Sequence, residues 1–215
     1  MAQSNYIPIT ILRKDGYKTM SKNYDAGIPA EEFFKHVIAP HDFKNPLIDN
    51  REKHIEGDFS FGSKYIYTVE VKGDYVAFRE GRPTGNIPIE ISNEANADGK
   101  GWFYHCQEDN VHEIVFCCFD EHRERGPLLS IRIPFVLLEL FVTAKLDDSV
   151  YKARHEKIAR DFKTGTSSVN LCISLAELAN ECGATVASLR MNQDGEIIHI
   201  PIPEEIGLKI TGVSP

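Results

Sequence analysis

The chain lacks an apolar run long enough to cross a bilayer. Its most apolar stretch, residues 131–144, is interrupted by Arg132 and Glu139 and is shorter than the roughly 20 residues that a membrane-spanning helix needs. The first ten residues also lack a basic segment followed by an apolar one, so we expect no signal peptide. These absences predict a cytoplasmic protein with no membrane partner, whose apolar residues form a core.

The chain also lacks a cysteine pattern for disulfides or zinc. It has five cysteines, an odd number. Cys117 and Cys118 are adjacent on a predicted strand and so point to opposite faces. Cys106 follows His105, but no second Cys/His pair completes a four-ligand set. We therefore expect buried free thiols.

An excess of basic residues is missing as well. The net charge is −8, whereas proteins that bind nucleic acid are more often basic. This balance disfavours a nucleic-acid enzyme without excluding one, because a nuclease needs only a local basic surface and its metal-binding carboxylates add negative charge.

The pattern along the chain predicts one α/β (α+β) domain over residues 1–215, with a central mixed β-sheet flanked by helices. There is no repeat or low-complexity tract. A core is expected over about residues 28–140, followed by a strand, helix and hairpin extension over 145–215. Strands are predicted at 6–12, 128–133 and 168–173, and a strand-rich block at 57–119 with turns at 73–74, 80–81 and 97–99. Helices are predicted at 29–38, 135–145 and 150–162, with a polar loop at 40–54 and a capping box at Ser174–Glu177. A hairpin at 185–202 is expected to turn at 192–195.

The segment 65–72, Tyr-Ile-Tyr-Thr-Val-Glu-Val-Lys, carries the pattern with most chemical content. Alternation along a strand sends Tyr65, Tyr67, Val69 and Val71 to a core and sends Thr68, Glu70 and Lys72 to the other face. Asp58 starts the preceding short strand, and a tight turn at residues 62–63 would bring it beside Glu70.

Two adjacent carboxylates repel each other unless a cation lies between them. Oxygen ligands of this kind suit Mg²⁺, with Mn²⁺ as a substitute, and Mg²⁺ in turn binds phosphate. A lysine beside the metal can orient a water molecule and offset charge that develops on a phosphate. Asp58, Glu70 and Lys72 are therefore candidate catalytic residues for phosphodiester hydrolysis.

The three-residue pattern of an acid, any residue and lysine is weak by itself. It occurs at 42–44, 70–72, 98–100 and 161–163, and only the second copy lies in a predicted strand with an acid on the strand before it. The alternative interpretation is an ion pair on a solvated sheet face, since such pairs are common and contribute little energy.

Residues 28–140 as a whole resemble the PD-(D/E)xK, restriction-endonuclease-like nucleases, especially those of phages and mobile elements. The resemblance depends on Asp58, on Thr-Val-Glu-Val-Lys-Gly-Asp at 68–74 and on Thr-Gly-Asn-Ile-Pro-Ile-Glu at 84–90. An aromatic-rich strand at 102–104 and an apolar strand at 114–119 are expected to follow. Gly57 stands where the family usually has proline.

The resemblance implies a metal-dependent DNA endonuclease. Asp58, Glu70 and the carbonyl of Val71 would bind the metal, and Lys72 would assist the attacking water. An acid on the first helix would complete the site, and Glu31 and Glu32 are both candidates. Asp74 and Asn86 are candidates to line it.

Glu90 is a further acidic candidate. Ile87, Ile89 and Ile91 alternate with Asn86, Pro88 and Glu90, which predicts one core face and one polar face directed to the same cleft as Glu70. The alternative is a turn followed by an edge strand, which Pro88 would favour.

A basic stripe in the predicted helix 150–162 is the candidate contact for the DNA backbone. It consists of Arg154, Lys157, Arg160 and Lys163, spaced three residues apart. The alternative is a solvated helix face balanced by Glu156 and Asp161.

Two functions remain open. The first is a Mg²⁺-dependent endonuclease acting on DNA, with RNA as an alternative substrate and a homodimer expected by analogy with enzymes that cut both strands. The second is a catalytically silent member of the same fold that binds partners or mimics DNA through its acidic balance.

Overall fold

The computed structural model describes residues 30–51, 57–62, 66–74, 78–79, 82–83, 85–119, 129–160, 164–187, 189–191 and 197–199. The predicted strand at 6–12, the turns at 62–63, 80–81 and 192–195, and Lys163 lie wholly or partly outside these residues.

Two sheets form the framework, as the predicted α+β class requires. The larger is a mixed sheet of six strands: β1 (Leu47–Asp49), β2 (Phe59–Phe61), β3 (Tyr67–Asp74), β7 (Glu113–Cys118), β8 (Leu129–Pro134) and β11 (Thr185–Ala187), in the order β1-β2-β3-β7-β8-β11. The smaller contains β6 (Asn86–Asn93), β9 (Glu156–Arg160) and β10 (Ser167–Ser174), in the order β6-β10-β9. Short pairs join β4 (Phe78–Arg79) to β5 (Arg82–Pro83) and β12 (Leu189–Met191) to β13 (Ile197–His199).

Five helices accompany the sheets in the part of the chain that the structure describes. The first, α1, covers residues 30–42 and includes a π-helical turn, Phe34–Ile38, and a last α-helical turn, Ala39–Asp42. The others are α2 (Trp102–Glu108), α3 (Phe135–Asp147), α4 (Ser149–His155) and α5 (Leu175–Glu181). Within the described residues, no helix combines the length and apolarity needed to span a membrane.

The parallel pair β3 and β7 lies at the centre because both faces of β7 are covered. All six residues of β7 are buried, as expected for a strand with packed layers on both sides. Cys117 belongs to the cluster formed with α1, whereas Cys118 belongs to the cluster formed with α2, α3 and the smaller sheet. The predicted opposite orientation of these thiols is confirmed, and the cysteines are free.

Several local predictions are confirmed. Ser174 and Glu177 form the capping box at the start of α5. Ile87 and Ile89 are buried, and Pro88 lies on β6, which is an edge strand of the smaller sheet. The turn at residues 97–99 is present, with Gly99 in the left-handed region at φ +71°.

Other predictions are wrong. Residues 73–74 continue β3 instead of turning. The expected loop 40–54 contains the end of α1 and strand β1. Residues 185–187 pair with β8 instead of joining the terminal hairpin. Tyr67, expected in the core, is 37% exposed, although its hydroxyl group donates a hydrogen bond to Oε2 of the buried Glu113 (2.8 Å).

The aromatic segment at 102–104 is helical, not a strand. Phe103 and Cys106 are both buried in the core cluster, and their spacing of three residues fits one face of a helix. The helix begins after Gly101, whose N–H donates to the Ile91 carbonyl (2.9 Å). This contact places α2 directly against β6.

Gly101 should be intolerant of a side chain. A Cβ atom there would lie 2.3 Å from the Glu90 carbonyl oxygen and 2.7 Å from the Ile91 carbonyl carbon, both of them backbone atoms that cannot rotate away. We expect Gly101→Ala to lower the free energy of unfolding by about 1–3 kcal/mol, measured by urea denaturation. The neighbouring exposed change Lys100→Ala is the control and should stay within about 0.5 kcal/mol of wild type. Equal stability of Gly101→Ala and Lys100→Ala would contradict the close approach of α2 to β6.

Candidate functional site

Strand β3 has an edge that β2 covers only in part. β2 pairs with β3 from Tyr67 to Val69, whereas β7 pairs with the other edge as far as Asp74. Asp58 lies one residue before β2, and its Oδ2 atom accepts a hydrogen bond from the Val71 N–H (2.7 Å). A carboxylate therefore accepts the hydrogen bond of an N–H that lies beyond the last residue of β3 that β2 pairs with.

The Val71 carbonyl points to the same edge as the Val71 N–H. Along a strand, the two backbone groups of one residue are directed to the same neighbour. Because the Val71 N–H contacts Asp58, the Val71 carbonyl also lies on the Asp58 side. The structure thus brings together the carboxylate and the carbonyl that were predicted to act together.

Glu70 and Lys72 lie on the β3 face that is directed to α2. Their side chains form an ion pair and are only 15% and 26% exposed. The Lys72 Nζ atom lies 5.7 Å from the centre of the Trp102 ring. The ion pair of the alternative interpretation is thus present, but it is half-buried and not fully solvated.

The charged groups of this site act on one another. Burial, followed by repulsion from Glu70, raises the pKa of Asp58 to about 7, although Lys72 and the Val71 N–H act against the shift. Burial alone would lower the pKa of Lys72, but the Glu70 and Asp58 carboxylates outweigh it and the pKa is raised. Lys72 is therefore a stable cation.

Glu31 and Glu32, the two first-helix candidates, both contact Arg51. Burial raises the pKa of Glu31, and the opposing effects come from Arg51 and Lys72, while Glu70 raises it further. Glu31 also contributes to the raised pKa of Asp58. Glu32 lies 2.7 Å from Arg51 and 3.2 Å from His36. The electrostatic interaction with Asp58 and Glu70 favours Glu31 as the accessory acid, and this choice stays a prediction.

The donor set fits a hard divalent cation. Asp58, Glu70, Glu31 and the Val71 carbonyl all offer oxygen, which Mg²⁺ and Mn²⁺ prefer. The raised pKa of Asp58 comes first from burial and second from repulsion by Glu70. A cation among them would relieve that repulsion.

A second group of possible metal ligands lies on the protein surface. Ligand atoms of Asp98, His105 and Glu108 lie within 4.8 Å of one another, closer together than the carboxylates of the Asp58 cluster. However, Lys100 already pairs with Glu108, and Asp98 and Glu108 are exposed. We assign no function to this group.

Three predicted lining residues lie outside these contacts. Glu90 is on β6 in the smaller sheet, where its carboxylate accepts a hydrogen bond from Asn93 (3.3 Å). Asn86 is exposed at the start of β6, opposite Ser174. Asp74 ends β3, two residues beyond Lys72 on the same face. Their participation in the site stays a prediction.

The basic stripe on a single helix is wrong. Helix α4 ends at His155, and Glu156–Arg160 forms strand β9, which pairs with β10. Arg154 therefore lies on a helix, whereas Lys157 and Arg160 lie on opposite faces of a strand. The three side chains are exposed, but they do not form one helical surface.

Arg51 is the residue of this region that sequence reasoning missed. Its guanidinium group contacts Asp49, Glu31 and Glu32. A single arginine inside a predicted loop has no pattern that identifies it. The sequence offers only Asp49, two residues earlier, as an ion-pair partner. That spacing indicates a contact only when it is known that Asp49 ends strand β1.

No protein-family model, curated protein or solved structure matches this chain. The site is therefore described by its own geometry.

The pKa of Asp58 leads to a prediction about stability without metal. The unfolded chain releases this proton near the ordinary value of 3.8, whereas the folded chain holds it to about pH 7. The folded form therefore binds more protons in this window, and the contribution of Asp58 to stability falls as pH rises from about 4 to 7. In Asp58→Asn that contribution is absent.

We expect the free energy of unfolding of Asp58→Asn, minus that of wild type, to increase between about pH 4 and pH 7 in EDTA. Urea denaturation followed by the fluorescence of the single tryptophan, Trp102, measures this difference. A difference that is constant with pH would mean that Asp58 does not titrate in this window.

Proposed function

We propose that the protein is a divalent-metal-dependent nuclease that hydrolyses DNA phosphodiester bonds, and that it acts as an endonuclease. One observation carries the proposal: the Asp58 carboxylate is bonded at the uncovered edge of β3 to the Val71 N–H, which lies between the paired residues Glu70 and Lys72, and the pKa values of Asp58, Lys72 and Glu31 are raised. Strongly perturbed titratable groups that converge in this way are typical of functional sites.

The fold supports the resemblance to PD-(D/E)xK nucleases. That family implies a mixed sheet flanked by helices with the acid, acid and lysine on neighbouring strands. Here β2 is antiparallel and β7 parallel to β3. The site lies where the first of these neighbours stops.

The metal ligands in this proposal are Asp58, Glu70 and the Val71 carbonyl, with Glu31 as the accessory acid. Mg²⁺ is the expected ion, and Mn²⁺ should substitute for it. A bound ion of this kind would polarise a phosphate and lower the pKa of a bound water. The Oδ2 atom of Asp58 already accepts a hydrogen bond from the Val71 N–H at 2.7 Å. This bond fixes the carboxylate and does not use its other oxygen, Oδ1.

Lys72 acts as a cation and not as a base. Its raised pKa keeps the ammonium group protonated at neutral pH, so it can donate hydrogen bonds but cannot accept a proton. We propose that it orients the attacking water and stabilises the charge that builds up on the phosphate in the transition state. The Trp102 ring beside Nζ favours the same charged form.

DNA is the proposed substrate, and RNA stays the alternative. A net charge of −8 repels a polyanion at long range, so neutralisation by the metal and local basic side chains would have to support binding. Arg154, Lys157 and Arg160 remain separate candidates for such contacts. A cytoplasmic location and a homodimer belong to the same proposal.

Cleavage should depend on Lys72 and on a divalent ion. We expect wild-type protein to nick or linearise plasmid DNA in Mg²⁺ or Mn²⁺ and not in EDTA, and Lys72→Ala to lose this activity because the transition-state charge is no longer offset. Lys100→Ala is the matched control, since Lys100 ends the same three-residue pattern at 98–100 but pairs with Glu108 on the surface. Equal cleavage by the two variants would remove Lys72 from the reaction.

Metal should stabilise the fold through the carboxylates. At about 100 times its dissociation constant, an ion that binds only the folded state adds about 2.7 kcal/mol to the free energy of unfolding. Asp58→Asn and Glu70→Gln should each remove this gain, as denaturation with and without Mn²⁺ would reveal. Absence of any gain in wild type would favour the catalytically silent, partner-binding or DNA-mimicking alternative.

A further inference from the structure

Arg51 is held rigidly next to the segment of Asp58, because the N–H of the preceding residue, Asn50, donates to the Asp58 carbonyl (3.0 Å). Its Nε and Nη2 atoms donate to the two oxygens of Asp49 at 2.8 and 2.6 Å. The guanidinium carbon also lies 5.1 Å from the centre of the buried Phe59 ring. A two-point contact with a carboxylate fixes the plane of a guanidinium group, so the direction of the remaining nitrogen, Nη1, is set.

Nη1 is directed to α1. It donates to Glu31 Oε2 (3.2 Å) and to Glu32 Oε1 (2.7 Å). Arg51 therefore connects three parts of the chain: the end of β1, the ring on β2 and the start of α1. Of the two acids it holds, Glu31 is the one whose charge interacts with Lys72 and Glu70.

The contacts of Arg51 leave little capacity for a substrate. A guanidinium group has five N–H donors. The four side-chain hydrogen bonds described above use four of them. The side chain is only 22% exposed. Its geometry suits holding carboxylates in place and does not suit binding a DNA phosphate.

We infer that Arg51 is a positioning residue that places Glu31 at the proposed metal site and so sets the affinity for the metal. The inference rests on the proposed function. Residues that orient metal ligands from outside commonly change metal affinity by about 10- to 100-fold when replaced. Lysine is a poor replacement, because a point charge cannot contact Asp49 at two points and still reach both glutamates.

The test is the dissociation constant for Mn²⁺, measured by calorimetric titration of the full chain and checked by the electron paramagnetic resonance signal of free Mn²⁺. The variants are Arg51→Gln, Arg51→Lys, Glu31→Gln, the double variant Arg51→Gln/Glu31→Gln, and Asp58→Asn. Glu32→Gln is the matched control, because Glu32 shares Nη1 of Arg51 with Glu31 but interacts with His36 on its other side.

We expect Arg51→Gln and Glu31→Gln each to weaken Mn²⁺ binding by about 10- to 100-fold. The double variant should bind no more weakly than Glu31→Gln alone, since both changes remove one interaction. Arg51→Lys should lie between wild type and Arg51→Gln, and Glu32→Gln should bind as wild type does. Circular dichroism of each variant establishes that it is folded, and Arg51→Lys carries the test if Arg51→Gln is not.

Three results would overturn the inference. Arg51→Gln, or Arg51→Lys in its place, could bind Mn²⁺ as tightly as wild type, which would make Arg51 purely structural. Tighter binding would show that Arg51 competes with the metal for Glu31. Additive losses in the double variant would show that Arg51 acts by another route. If wild type and Asp58→Asn both fail to bind Mn²⁺, the proposed function itself fails and the inference fails with it.

Discussion

The hydrogen bond between the Asp58 carboxylate and the Val71 N–H is the contact on which the candidate site depends. β2 ends at the level of Val69, and an uncapped N–H on a half-buried strand edge would be costly. A carboxylate satisfies that donor, but it also brings a negative charge next to Glu70. The excess of negative charge in the site is thus a consequence of how the edge of β3 is closed.

The surrounding residues limit this repulsion without removing it. The positive charge of Lys72 interacts with the carboxylates of both Asp58 and Glu70. The positive charge of Arg51 acts on Glu31 in the same way. The pKa of Asp58 nevertheless remains raised, first because the carboxyl group is buried and second because Glu70 lies nearby. Removing either carboxylate would relieve the repulsion between them.

Part of this arrangement could be predicted because it follows from alternation along a strand. Val69 and Val71 point to one face and Glu70 and Lys72 to the other, whatever the rest of the chain does. The same holds for Ile87 and Ile89, for the two thiols at 117 and 118, and for the capping box at Ser174, which depends on residues three apart. Predictions failed where local preference and packing compete. Residues 156–160 contain good helix formers but pair with β10, and residues 102–104 are typical of strands but bury Phe103 and Cys106 as a helix.

The contacts of Arg51 with Glu31 and Glu32 could not be predicted, because they depend on how two layers meet. α1 packs on the face of the sheet that carries Val69 and Val71, whereas Glu70 and Lys72 belong to the opposite face. A residue of α1 can influence both faces only where the sheet has an open edge, and that edge exists because β2 is three residues long. Strand length, helix placement and the contact of Arg51 with Asp49 must all be fixed before Glu31 can be distinguished from Glu32. The two acids are equivalent in the sequence and become different only in the packed structure.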